Sequence, residues 1–123
     1  MIKETRFTFE ELEVWQKAID FAKTIIALSD KLDSKNKHYR LIDQLESAST
    51  SIALNIAEGK GRYSKKEFIH FLYIAKGSLF ETISLLVIFF KNNLITEYQL
   101  NELRVSAMEI GKMISGLINF LKQ

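Results

Sequence analysis

The chain ends in an unbroken seam, Leu100, Leu103, Ala107, Ile110, Ile114, Leu117 and Leu121, whose steps alternate between three and four residues. That spacing marks one face of a helix packed at a shallow angle against its neighbours, as in coiled coils and four-helix bundles. Little upstream interrupts the same reading. The 123 residues contain no proline and only five glycines, whereas average usage would supply roughly six prolines. A chain with so few breakpoints is most simply built from long helices.

Three segments open with a hydroxyl followed three residues later by Glu or Gln: Thr8-Phe9-Glu10-Glu11, Ser64-Lys65-Lys66-Glu67 and Thr96-Glu97-Tyr98-Gln99. In this capping box the hydroxyl accepts from an orphan backbone N–H of the first turn and the Glu or Gln reaches back. The spacing predicts helices over about 9–32, 37–58, 65–91 and 97–121, in one domain spanning 1–123. The first carries two stripes, Leu12, Trp15, Ile19, Ala22, Ile26 and Val14, Ala18, Phe21, Ile25, Leu28, Leu32. The second carries Leu41, Leu45, Ala48 and Ile52, continued by Asn55 and closed at Gly59. Short connections favour antiparallel neighbours. The expected fold is all-α, an up-down-up-down antiparallel four-helix bundle.

Several function classes fall away. No cysteine is present, which removes disulfides, zinc–thiolate sites and a cysteine nucleophile, and suits a reducing cytoplasm. The opening Met1-Ile2-Lys3-Glu4-Thr5-Arg6 has no apolar signal core. The longest strongly apolar uncharged run, Thr82 to Phe90, is nine residues, against the roughly 20 of a membrane span. Glu67 and His70 make a Glu-x-x-His step, but a bundle di-metal site needs two such steps and two further glutamates. The other histidine, His38, has Lys35 three residues before it. No metal, cofactor, catalytic site or membrane partner is expected.

Three features remain. From Phe68 to Phe90, 16 of 23 residues are apolar, and His70, Gly77, Glu81 and Ser84 form a narrow polar strip. Such a helix is apolar around more of its circumference than its own bundle can cover, so self-association is expected, with Leu86, Ile88, Phe89 and Phe90 as the interface. The small residues 47–51 of the second helix are expected to face Ala75, Gly77 and Ser78. A turn centred near Gly61 would set Ala48 against Ala75 and Leu45 against Ser78. Small residues on both sides would then let the backbones approach and explain Gly77. Third, the run from Asn55 to Lys66 holds two glycines and Lys60, Arg62, Lys65 and Lys66 before a newly capped helix. Cations beside a helix start would favour an anion such as nucleic-acid phosphate. A solvated turn whose glycines cap the second helix is the simpler alternative. With Lys3, Arg6 and Lys122 the same end gathers seven cations, against Glu4, Glu10, Glu11, Glu58 and Glu67. Net charge over the whole chain is only +2. Asn55, on an apolar seam, must find hydrogen bonds there.

The runs Asn55-Ile56-Ala57-Glu58-Gly59 and Ala75-x-Gly77-Ser78-Leu79-x-Glu81, with Leu12-x-x-Trp15-Gln16 and Gln44-Leu45, resemble a known bacterial family. Its members are four-helix-bundle proteins encoded in intervening sequences of 23S ribosomal RNA genes. They are related to the accessory variability protein of diversity-generating retroelements. The resemblance implies a ring-like homopentamer without enzymatic activity, and the retroelement relatives bind nucleic acid and a reverse transcriptase through a basic surface. In this chain Glu46 and Ser47 follow Gln44-Leu45 where the family often carries arginine, and Ala53 replaces a proline. Two readings stand: an oligomeric protein associated with RNA or DNA, or with a nucleic-acid-handling partner, and an oligomeric protein-interaction scaffold that touches no nucleic acid.

Overall fold

The computed structural model describes residues 5–33 and 38–123. A turn of 3-10 helix at Thr8–Glu11 leads into α1 (Glu13–Asp33), α2 (Tyr39–Lys60), α3 (Lys65–Lys91) and α4 (Glu97–Lys122). Among the described residues there is no strand. Each helix packs on the next and α1 closes the set against α4, which is the arrangement of a four-helix bundle. α2 and α3 run antiparallel: Gln44 reaches Glu81, Ser51 meets Ser78, and Gly59 lies against Phe68 and Phe71.

The helix starts differ in detail from expectation. Thr96 forms the full reciprocal cap, with Gln99 N–H donating to its hydroxyl at 3.0 Å and Thr96 N–H donating to Gln99 Oε1 at 2.8 Å. Ser64 accepts from Glu67 N–H at 3.1 Å, but its hydroxyl donates to the Glu67 carboxylate at 3.3 Å in place of a return bond to its backbone. At the N-terminus the device sits one residue early, with Phe7 N–H donating to Glu10 Oε1 at 2.8 Å, so Thr8 caps nothing. That lead-in is a separate 3-10 turn, and α1 proper starts at Glu13. The expected start of the second helix at 37 lies outside the described residues. α2 begins at Tyr39, after His38 in the left-handed region.

Of the two stripes on α1, Val14, Ala18, Phe21, Ile25 and Leu28 fill the core, while Ile19 and Ile26 of the other face solvent. On α4 the buried line follows the expected seam as far as Ile114 and then passes to Ile118, leaving Leu117 and Leu121 only partly buried. A straight helix drifts about 20° per heptad against a 3.5-residue repeat, so a seam written three-four-three-four rotates out of the core unless the helices supercoil.

α2 runs on to Lys60, so Gly59 is not its cap but a buried member of its last turn. A Cβ there would lie 2.8 Å from Phe71 Cβ and 2.9 Å from Phe68 Cδ1. The close approach of α2 to α3 therefore depends on Gly59. Gly77 does not serve it: Gly77 is exposed, and a Cβ on it would meet nothing within 4 Å. Because the turn falls later than Gly61, every facing pair shifts, and Ser51, not Leu45, meets Ser78.

Candidate functional site

The α2–α3 turn is built by Gly61, whose N–H donates to Ala57 O, and by Arg62, whose N–H donates to Gly59 O. The four cations expected there are not equivalent. Arg62 donates to Glu58 Oε2 at 2.6 Å and its guanidinium lies 4.8 Å from the centre of the Phe71 ring, so carboxylate and ring fix it on the surface of α3. Lys60, Lys65 and Lys66 are exposed, and among the described residues no carboxylate pairs with them. Of the other cations expected at this end, Arg6 pairs with Glu11 at 3.8 Å. Lys122 donates to Tyr73 Oη at 3.2 Å and sits 5.7 Å from its ring. Lys3 and Glu4 lie outside the described residues. Tyr63 stands between Arg62 and Ser64 at 107% exposure, fully in water.

From the turn, the outer stripe of α3 reads Lys66, His70, Tyr73, Gly77, Phe80, Ser84 and Ile88, all exposed. Steps of three and four keep these residues on one face. His70, Gly77 and Ser84 belong to the expected polar strip, but large apolar groups alternate with them, Phe80 at 59% and Ile88 at 43% exposure. The expected interface must be corrected. Leu86 and Phe89 are 0% and 1% exposed and Phe90 packs against the core, because α2 and α4 approach α3 from that side. Only Ile88 of the four is on the outside. Beside the stripe, α3 and α4 leave a groove of about 940 Å³ with Leu79, Ile83, Ala107 and Gly111 among its lining and Lys76 and Arg104 at its margins. Met108 stands on its α4 side at 67% exposure, and Gly116 opens there with nothing within 4 Å of a notional Cβ.

The remaining motif residues hold the bundle. Asn55 donates from one nitrogen to Ser51 O at 2.8 Å and to Ser51 Oγ at 2.9 Å, and Ser51 Oγ shares a 2.9 Å bond with Ser78 Oγ. Gln44 donates to Glu81 at 3.3 Å further along the same seam. Trp15 meets Phe9 edge-on at 5.3 Å and Gln16 donates to Glu10 O at 2.7 Å, which ties the 3-10 turn to α1. On α4, Tyr98 donates to Glu102 at 2.9 Å. That bond, aided by the carboxylate's charge, raises the phenol above its usual value.

Among the described residues no group of three His, Cys, Asp or Glu side chains gathers as a metal site. α3 is long and apolar enough to cross a membrane by length and composition, more than its longest uncharged run suggested, though a third of its most apolar window is buried in the bundle. Tyr63, Phe80 and Met108 carried no expectation. The signal for Phe80 was there: it continues the strip of His70, Gly77 and Ser84 at helical spacing.

A comparison with curated proteins found no match. Among solved structures the chain is similar to a Bacteroides thetaiotaomicron protein of unknown function from the S23 ribosomal protein family. The two share 30% identity with a TM-score of 0.81, over 85% of this chain and 97% of the other. Residues 10–116 match the 23S rRNA-intervening sequence protein family. The chain therefore belongs to the 23S rRNA-intervening sequence protein family.

Proposed function

We propose that this protein is a non-enzymatic, self-associating binding protein that engages nucleic-acid phosphates at the α2–α3 turn. The observation that carries the reading is the division of the outer face of α3. Its turn-proximal part is cationic and aromatic, with Lys66, His70 and Tyr73 exposed beside Lys60 and Lys65, which pair with no carboxylate among the described residues. Its far part is apolar, with Phe80 and Ile88 exposed beside an apolar groove. Exposed apolar area of that kind marks an interface. Gly77 and Gly116 support it: a mid-helix glycine costs about 1 kcal/mol relative to alanine, and neither is crowded from within the chain. Room kept there serves a neighbour packed from outside. A ring-like homopentamer is the assembly that family membership favours, and it would repeat the turn lysines around one rim, giving multivalent contacts no single copy makes.

The groove favours one further reading, a ring that docks another protein and no nucleic acid. Light scattering and a salt titration separate the possibilities. The expected result is a mass several-fold above 14.2 kDa and RNA or DNA affinity that falls steeply with salt. A monomer at micromolar concentration overturns self-association. An oligomer that binds neither nucleic acid at low salt leaves the scaffold.

A further inference from the structure

The ring of Tyr63 is fully in water, at 107% exposure, within a turn that carries Lys60, Arg62, Lys65 and Lys66. The turn does not use it: its backbone bonds run from Gly61 and Arg62, and Ser64 caps α3. Arg62 is committed elsewhere, to Glu58 and the Phe71 ring. What remains is an aromatic face flanked by three lysines that pair with no carboxylate among the described residues. From there Lys66, His70 and Tyr73 continue along one exposed line of α3 for about 10 Å. Lys122, reaching over from α4, steadies the Tyr73 ring, which is still 48% exposed.

We propose that this surface takes single-stranded nucleic acid, with a base stacked on Tyr63 and the phosphates running past Lys60, Lys65 and Lys66 toward Tyr73. The inference rests on the reading that the turn binds nucleic acid, and it names the form. A duplex offers this surface only phosphates, since its base faces are closed within the stack, and gains nothing from a bare ring. A single strand has open base faces, and stacking on an aromatic ring tolerates any sequence. The helix N-terminus is not needed: the exposed lysines supply the positive charge, and Ser64 already occupies the Glu67 N–H. Little preference for sequence is expected, since phosphate contacts do not read bases.

The experiment is fluorescence anisotropy with a 20-nucleotide oligo(dT), a 20-nucleotide unstructured RNA and a 20-base-pair DNA duplex, at two salt concentrations. The proteins are the wild type, Tyr63→Ala and Tyr63→Phe. Tyr63 is fully exposed, so all should give the same helical circular dichroism and the same mass. The expected result is tighter binding of the single strands than of the duplex. Tyr63→Ala should weaken single-strand binding about five- to a hundredfold, leave the duplex unchanged, and be rescued by Tyr63→Phe. Equal single-strand affinity for Tyr63→Ala and wild type, with salt-sensitive binding intact, overturns stacking and leaves phosphate binding standing. A wild type that prefers the duplex overturns the proposal in the same way. No salt-sensitive binding of any probe by the wild type overturns both.

Discussion

Ser51 and Ser78 share a 2.9 Å hydrogen bond across the seam between α2 and α3. Asn55 also donates to the Ser51 hydroxyl oxygen, so the three side chains form one hydrogen-bonded chain in which either serine can donate to the other. Such a chain, half-buried among apolar neighbours, fixes the sliding register of two helices that small residues alone would leave loose. Asn55→Ala removes its first donor. The expected loss is about 1 kcal/mol, read as a lower urea midpoint at fixed protein concentration. A double-mutant cycle with Ser78→Ala should show that the two losses do not add. Additive losses would mean that the bonds act separately.

Gly59 and Gly77 make opposite predictions from the same substitution. At Gly59 a Cβ would sit 2.8 Å from Phe71 Cβ and 3.2 Å from the Phe68 carbonyl oxygen, and a backbone atom cannot swing aside. Gly59→Ala should cost about 1–3 kcal/mol of stability through overpacking, although alanine is the better helix former. A thermal midpoint at or above wild type would show that the helices can part at no cost.

Gly77→Ala adds a methyl group into open space within the single chain. Helix propensity alone should then raise the stability of a dissociated chain by about 1 kcal/mol. If a neighbouring copy packs closely on this face, the same methyl group weakens assembly. The expected outcome is thus a more stable protein with a lower mass at limiting concentration. A variant that gains stability and keeps its mass would place the interface elsewhere.

These cases show where the sequence was legible. The all-α class and the number of helices followed from periodicity and caps, which are local. Which glycine the fold crowds was not local, since it depends on where the α2–α3 turn falls and so on which residues face each other. Ser51 meets Ser78 only because α2 continues to Lys60. α3 posed a different problem. It is apolar on nearly every side, and its apolar residues by themselves do not distinguish the core-facing Leu86 and Phe89 from the outward Phe80 and Ile88. Only the sparse polar marks, His70, Gly77 and Ser84, pointed outward. At the turn the lysines were legible from composition, but the capture of Arg62 by Glu58 and Phe71 was a matter of packing.

Leu86→Glu and Phe80→Glu test that division directly. Leu86 is fully buried, so a carboxylate there should cost several kcal/mol and abolish cooperative unfolding. Phe80 is more than half exposed, so Phe80→Glu should keep its helical circular dichroism and lose assembly by light scattering. A Phe80→Glu protein of wild-type mass would remove the α3–α4 face as the interface.

Ser29 predicts a gain. Its hydroxyl is buried at 1% exposure and has no hydrogen-bond partner among the described residues. An unsatisfied buried hydroxyl costs about 1–3 kcal/mol, so Ser29→Ala should raise the urea midpoint. A fall would mean that the hydroxyl has a partner in solution.

The last prediction separates the turn's cations from one another. Arg62 is bound at 2.6 Å to Glu58 and spread over Phe71, so a phosphate must compete with a carboxylate for it. Removing Arg62 also releases Glu58, leaving an unpaired negative charge beside the lysines. Lys60, Lys65 and Lys66 have no such competitor among the described residues and are exposed on flexible stems that can follow a backbone. Each phosphate that a cation no longer neutralises should lower the slope of log affinity against log salt by about 0.7 for a single strand. A Lys60→Ala, Lys65→Ala, Lys66→Ala triple variant is therefore expected to reduce that slope by about 2 per chain engaged. Arg62→Ala should weaken affinity through the exposed Glu58 while changing the slope by less than one such step. Glu58→Gln, which frees Arg62 without adding a charge, should strengthen binding. If the triple variant binds with unchanged slope and unchanged affinity, the loop is a turn and nothing more, and any nucleic acid is held elsewhere on the molecule.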